Sequence, residues 1–451
     1  MNLHHLLLQA QELGEPVRVG LIGAGKFGSM FLAQARRTPG IHVVGIADLT
    51  EGRARLSCKE TGWPDEQLTA RSPADALDKG TTWCGQDSMA LIGQDGMQVI
   101  IDATGHPAAG IRHARAAFAN GLHVVMVNVE ADVLAGPLLA EEADRAGVVY
   151  SMAYGDQPAL IAEQVDWARS IGLDVVCAGK GTKYRPIYHR STPDAVWSHY
   201  GLTPERAAAS GMNPQMFNSF LDGTKSAIEM AAVSNACRLT PERRGLAFPP
   251  ASVNELSTLL RPRAVGGLLD TDGTVEVVSC ETHDGQPVPN DLRWGVYVTF
   301  RAPDEYVRNC FSDYGLVTDP TGDYAALWRP YHLIGLELGV SVASAALRGE
   351  PTGRANGFRG DVVATAKRGL KAGETLDGEG GFTVFGKLRR ADDSLMDNCL
   401  PLGLAHGVRL RHDMAEDAVI TYDDVDIDEN DPTVAYRREM ESVFRRRNSQ
   451  D

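Results

Sequence analysis

Val17 to Ile22, a run of buried-strand length, leads directly into Gly23-Ala24-Gly25-Lys26-Phe27-Gly28, and a helix-like stretch follows to Arg37. Glycines spaced this way between a strand and a helix admit few folds. They allow a tight turn and bring backbone close to a pyrophosphate at a helix N-terminus, where free N–H groups and the helix dipole favour anions. Further strand-like runs lie at 41–47, 99–102 and 122–127, with helical patterns at 108–119 and 138–146. Short apolar strands alternating with helices predict an α/β fold with a doubly wound parallel sheet of the Rossmann type.

The sheet predicts its own ligand site. Gly23, Gly25, Lys26, Phe27 and Gly28 form the phosphate turn. Asp48 ends the second strand, where an acid binds a ribose 2′-hydroxyl and repels a 2′-phosphate, so NAD is favoured over NADP. Arg53 and Arg55 lie close by and can accept that phosphate. Ala103, Thr104 and Gly105 follow a later strand, where small residues let a nicotinamide ribose approach. Asn128 and Glu130 sit at the next strand end, facing nicotinamide and substrate. Ordinary strand caps are the alternative reading of these last positions.

Charge excludes other classes. The 451 residues carry 44 Lys and Arg against 59 Asp and Glu, a formal charge of -15. Nucleic-acid binding needs clustered cations, and an anionic membrane surface repels such a chain. No apolar run reaches the ~20 residues that span a bilayer. The opening segment lacks a basic region and a cleavage site, so it does not read as a signal peptide. Seven scattered cysteines without a C-x-x-C pair suit a reducing, cytoplasmic setting.

Three blocks are expected: 1–152 for the dinucleotide, 153–349 as a central α+β catalytic and dimerisation domain, and 350–451 as a small β-rich domain with a charged tail. In the central block, Lys180 and Lys183 sit at a strand end among glycines. A desolvated lysine near other cations can transfer protons, or it can be a point charge on an anionic substrate. Asp222 and Thr224 are candidate caps of a helix over 226–235, and Asp222 is also a substrate-binding candidate. Lys225 and Glu229, four apart, can face one another. Arg329 can hold a phosphate or carboxylate, and His332 can titrate near neutrality. No metal motif is present, although Asp156, Glu163 and Glu229 are oxygen ligands that can serve a divalent ion. The Gly/Pro-rich stretch 348–353 reads as a linker. The acidic run 423–429 and Arg445-Arg446-Arg447 read as a solvated tail.

Taken in order, the glycine turn, Ile-Asp-Ala-Thr-Gly (101–105), Val-Asn-Val-Glu-Ala-Asp-Val (127–133), Ala-Gly-Lys-Gly (178–181), Phe-Leu-Asp-Gly-Thr-Lys (220–225), Glu-Met-Ala-Ala (229–232) and Arg-Pro-Tyr-His-Leu (329–333) resemble a homoserine-dehydrogenase-like family. Within it they resemble the second type of 1-deoxy-D-xylulose 5-phosphate reductoisomerase-like enzymes. Ala366 to Glu374 and Leu400 to Gly403 resemble a SAF domain, a module also found in sialic acid synthases and altronate dehydratases. The resemblance implies a homodimer and a substrate lying between the nicotinamide and the Lys180 loop. It makes Lys180, Lys225 and His332 the catalytic or substrate-binding candidates, Arg329 and Lys183 the anion anchors, and Glu130 a neighbour of the nicotinamide. Two features depart from the family: Asp48 replaces a basic strand end that goes with NADPH, and Gly-Thr-Lys-Tyr-Arg-Pro follows Lys180.

These residues predict an NAD(P)-dependent oxidoreductase acting on a small, anionic, polyhydroxylated substrate, with or without a C–C rearrangement. A simple dehydrogenase of a hydroxy acid or amino alcohol is the second reading, and a nucleotide- or sugar-sensing protein the third.

Overall fold

The computed structural model describes residues 2–209 and 211–448. The chain forms two compact units, Met1–Leu160 with His332–Ala355, and Ile161–Tyr331 with Asn356–Asp451.

The first unit is built on a six-stranded parallel sheet of β1 (Val17–Ile22), β2 (Ile41–Ala47), β3 (Trp83–Gly85), β4 (Val99–Asp102), β5 (His123–Met126) and β6 (Tyr150–Met152). Their order is β3-β2-β1-β4-β5-β6. This is the dinucleotide-binding order, with its switch point between β1 and β4. The three-residue strands β3 and β6 are too short to show a pattern in sequence. Leu21, Phe31, Leu32, Ile46, Val99 and Ile101 fill the core on one face of the sheet, and the returning segment adds Leu338, Val342 and Ala343 to the same cluster.

The expected linker at 348–353 is instead part of this unit. Met152 N donates to Gly353 O at 2.7 Å, and Thr352 N donates to Ser151 Oγ at 2.9 Å. Because β6 ends the sheet, its outer backbone groups need partners, and the glycine-containing turn supplies them.

The second unit holds β7 (Asp174–Thr182), β8 (Thr274–Ser279), β9 (Val296–Arg301) and β10 (Tyr324–Arg329) in the order β10-β9-β7-β8. β7 runs parallel to β8 and antiparallel to β9, which runs antiparallel to β10. Cys177, Tyr297 and Ala326 join Leu256, Leu260 and Leu269 in a core on one face of the sheet. Helix Thr224–Cys237 is buried along nearly its whole length, as expected of an element covered on all sides.

Part of that cover comes from the C-terminal β-rich block, which contains β11 (Gly360–Ala366), β12 (Thr375–Asp377), β13 (Val384–Arg390), β14 (His406–Leu410) and β15 (Val425–Asp426). β11 pairs with β13, and β14 lies between β12 and β15. A Cβ at Gly360 would come within 3.2 Å of Ala231 Cα, so glycine against alanine permits the close approach.

The expected solvated tail is also folded. Val425 pairs with Leu410, and Pro432–Asn448 is a helix. Its Tyr436, Met440 and Phe444, spaced by four, are buried. Arg437 is fully buried and pairs with Asp361 at 2.7 Å and Glu441 at 2.8 Å. Charge count alone hid this apolar face. No described helix is long and apolar enough to cross a membrane.

Candidate active site

In the first unit, backbone packing explains each glycine of the phosphate turn. Gly23 has φ +100, and a Cβ there would lie 2.5 Å from Ala103 O, while a Cβ on Gly28 would lie 2.4 Å from Gly23 O. Gly25 differs. Nothing stands within 4 Å of its Cβ position, and it begins helix Lys26–Ala35 with no side-chain cap. An open approach above uncapped first-turn N–H groups is what a pyrophosphate requires. Lys26 is exposed and Phe27 half-buried beside it.

Asp48 closes onto this turn. Its Oδ2 accepts from Ala24 N at 2.7 Å, and its Oδ1 accepts from Leu49 N at 2.7 Å. Arg53 Nε lies 3.3 Å from Oδ1, and more than half of the Arg53 side chain is exposed. A carboxylate has about four lone-pair sites, so capacity for a ribose hydroxyl is left. Arg55 is turned to Glu51 and to Leu68 O, which leaves Arg53 as the arginine beside Asp48.

Ala103 and Thr104 are half-buried at the end of β4, and Gly105 is exposed with φ +64. Asn128 is buried, and its side chain joins the two strand-end loops. Its Nδ2 donates to His106 O at 2.9 Å, and its Oδ1 accepts from Ala131 N at 3.1 Å, capping helix Val129–Ala146. Glu130 stands half-buried in the first turn of that helix, where the dipole favours an acid. His332 opens the segment that returns to this unit. Three residues later, Gly335 lies against the phosphate-turn helix, since its Cβ would come within 2.8 Å of Phe27 O.

In the second unit, strand register organises the cations. Lys180 of β7 and Arg329 of β10 both stand opposite Val296 of β9. Residues in one such row share a sheet face, and two strand spacings separate the outer backbones by ~10 Å. On this face Lys180 Nζ and the Glu229 carboxylate form a buried ion pair. Lys225 lies one turn before Glu229 on the same helix, so Glu229 joins the helix to β7 through Lys180.

The glycines flanking Lys180 serve packing. A Cβ on Gly179 would lie 1.8 Å from Glu276 O, and one on Gly181 would lie 1.9 Å from Leu292 O. Arg329 stacks on Tyr331 at 5.2 Å.

Lys183 is mostly buried. It pairs with Glu281 at 3.1 Å and donates to His199 O at 2.8 Å. Asp222 is fully buried. Its Oδ1 accepts from Thr224 N at 2.9 Å, and its Oδ2 accepts from Lys367 Nζ at 2.7 Å. The helix N-cap is Gly223, with φ +90, so Asp222 anchors the turn before the helix. Tyr184, stacked on Phe248 at 4.0 Å, also borders Gly223. Burial, reinforced by Asp222 and Asp417, pushes the Tyr184 hydroxyl up to about 12.

The arrangement brings Lys180, Glu229 and Arg329 to one sheet face, with Lys225 one helical turn from Glu229, and gathers the predicted dinucleotide residues at the β1/β4 switch point. Sequence reasoning missed Lys367 and Glu281, the partners of Asp222 and Lys183. Among the described residues, no group of three His, Cys, Asp or Glu side chains is placed to hold a metal.

Residues 155–338 match the family model described as oxidoreductase DRL, catalytic domain, and residues 361–426 match the SAF domain. No curated protein matches the chain. Among solved structures, the chain is similar to a homoserine dehydrogenase from Thiobacillus denitrificans, with 18% identity over 49% of each chain and a TM-score of 0.35. It is also similar to a biliverdin reductase from Synechocystis, with 18% identity over 43% of this chain and 55% of that one and a TM-score of 0.26. A probable dehydrogenase from Thermotoga maritima aligns at 14% identity over 74% of this chain and 90% of that one, with a TM-score of 0.35. The chain spans about half the length of the homoserine dehydrogenase and of the biliverdin reductase. The family matches give this protein an oxidoreductase catalytic domain followed by a SAF domain.

Proposed function

We propose that the protein is a nicotinamide-dependent oxidoreductase acting on a small, anionic, polyhydroxylated substrate, with NADH preferred. The observation that carries the reading is the row Arg329–Val296–Lys180, completed by Glu229 from the covering helix. A shared face for Arg329, Lys180 and Glu229 supports reading Arg329 as the anion-binding cation and Lys180 with Glu229 as the proton-handling pair. The phosphate turn, with its open Gly25 and uncapped helix, fits a dinucleotide, and Asp48 fits a free 2′-hydroxyl.

When bound, the nicotinamide supplies the hydride. This chain supplies the rest. Arg329 orients the carboxylate or phosphate of the substrate through paired hydrogen bonds. Lys180 Nζ stabilises negative charge on the reacting carbonyl oxygen and donates a proton to it. Glu229 holds Lys180 in place and accepts a hydroxyl proton. Lys225 adds positive charge at the start of the helix, and His332, three residues before the Gly335 that packs on the phosphate-turn helix, serves as an acid or base.

An acid and a base in one buried pair also suit a reductoisomerase of the 1-deoxy-D-xylulose 5-phosphate type. There a hydroxyl loses its proton while a carbonyl gains one and a C–C bond migrates. A homodimer is part of the same proposal.

The test is turnover of a panel of hydroxyketone phosphates and hydroxy acids, with carbon-13 NMR of the product. Lys180→Met is expected to lower turnover ~100-fold or more, the scale of a lost general acid. An unchanged carbon skeleton selects simple hydride transfer, and unchanged turnover in Lys180→Met contradicts the assignment.

A further inference from the structure

The strand β4 ends in a carboxylate that no solvent reaches. Asp102 is 0% exposed and lies opposite Ile22, the last residue of β1, at the switch point of the sheet. A dinucleotide in this sheet order crosses here. A buried carboxylate persists only with donors around it, and Asp102 has four. His113 Nδ1 lies 2.7 Å from Oδ2. On Oδ1, Thr104 donates its hydroxyl at 2.8 Å and its backbone N–H at 3.3 Å, and Asn128 donates Nδ2 at 3.4 Å.

The two oxygens therefore face different parts of the fold. Oδ1 takes both strand-end loops, those of Thr104 and Asn128. Oδ2 takes His113, which comes from the buried face of helix Pro107–Ala119. The ring of His113 is pinned on its far side as well, with Nε2 3.0 Å from Ser88 Oγ. The chain Ser88–His113–Asp102 sets the rotation of the carboxylate, and the carboxylate sets Thr104 and Asn128. Thr104 and Asn128 also touch one another at 3.3 Å. The adenosine end of the site, at Asp48 and Gly25, is held by separate bonds to Ala24 N and Leu49 N.

We infer that Asp102 and His113 are positioning residues for the nicotinamide end of the dinucleotide, acting through Thr104 and Asn128 and leaving the adenosine end untouched. The inference rests on the dinucleotide reading of the first unit. It differs from a purely structural role in one way: it distinguishes two ligands that share one half of the site. NADH spans both ends, whereas ADP occupies only the adenosine and pyrophosphate end.

The experiment is calorimetric titration of the full-length protein with NADH and with ADP. In His113→Leu, which leaves Oδ2 without its donor, NADH binding is expected to weaken about tenfold, ~1.4 kcal/mol, while ADP binding stays within about twofold. In His113→Asn, the side-chain amide occupies the place of Nδ1 and can donate to Asp102, so NADH binding is expected to recover. Should His113→Leu fail to fold, Asp102→Asn is read in its place. It keeps the shape but exchanges one acceptor for a donor, and the same split between NADH and ADP is expected. Equal weakening of both ligands, or of neither, overturns the positioning role. A wild-type protein that binds neither ligand removes the dinucleotide reading itself, an outcome distinct from a lost split.

Discussion

Lys180 and Arg329, which lie 149 positions apart in the chain, stand opposite the same residue, Val296, on neighbouring sides of one strand. Register alone then gives their shared face and their ~10 Å backbone separation.

The pair Lys180–Glu229 is held in a buried setting, where an ion pair is stable only as a pair. Lys180→Met is expected to destabilise the protein by ~3–5 kcal/mol, because it takes from the buried Glu229 its ion-pair partner. The double variant Lys180→Met with Glu229→Gln is expected to recover most of the unfolding midpoint and none of the turnover. Chemical denaturation and steady-state assay of the two variants check this. Recovery of both properties together would remove the pair from the chemistry.

Lys367 and Asp222 join the SAF domain to the turn before the Lys225 helix, and both side chains are fully buried. Gly386 N also donates to Thr224 Oγ1 at 2.9 Å. Lys367→Met is expected to cost ~3–5 kcal/mol, and Asp222→Asn in the same chain is expected to restore much of it. Thermal unfolding of the single and double variants measures the coupling. Additive effects would show that the two side chains act independently.

Much of the first unit was legible because its constraints are local. A strand, three glycines and an acid at a second strand end fall at fixed short spacings. The second unit was harder to read. Lys180 was legible as a lysine at a strand end among glycines, but its partner was not: it lies within β7 and meets Glu229 across 49 residues, whereas Glu229 was read beside Lys225 on its own helix. Lys367, 145 residues from Asp222, offered no local sign. His113 sits in an ordinary helical pattern, and only the end of β4 gives it a role. The terminal arginines drew attention to charge and away from the buried face of Tyr436, Met440 and Phe444.

Asp132 is buried in helix Val129–Ala146, where it accepts a hydrogen bond from Tyr150 at 2.9 Å. Burial outweighs that bond and pushes its carboxyl up from 3.8 to about 6. A raised carboxyl pKa means that the folded state binds the proton more tightly than the unfolded chain does. Its contribution is complete below the unfolded value and is lost as pH rises through about 6. Asp132→Asn does not titrate. Its unfolding free energy is expected to gain on wild type between pH ~4 and pH ~7, by up to ~3 kcal/mol. A difference that stays constant with pH would contradict the shift.

In the proposed complex a dinucleotide sits over Gly25, with Asp48 on its ribose. Gly25 has φ -72 and open space at its Cβ position, so Gly25→Val is expected to fold like wild type while filling the phosphate cradle. The direct measurement is fluorescence titration of wild type and Gly25→Val with NADH and with NADPH, alongside the unfolding midpoint of each. Wild type is expected to bind NADH more tightly than NADPH, and Gly25→Val is expected to keep its midpoint while losing at least ~30-fold in NADH affinity, ~2 kcal/mol. NADH affinity unchanged in Gly25→Val, or no binding of either cofactor by wild type, would contradict it.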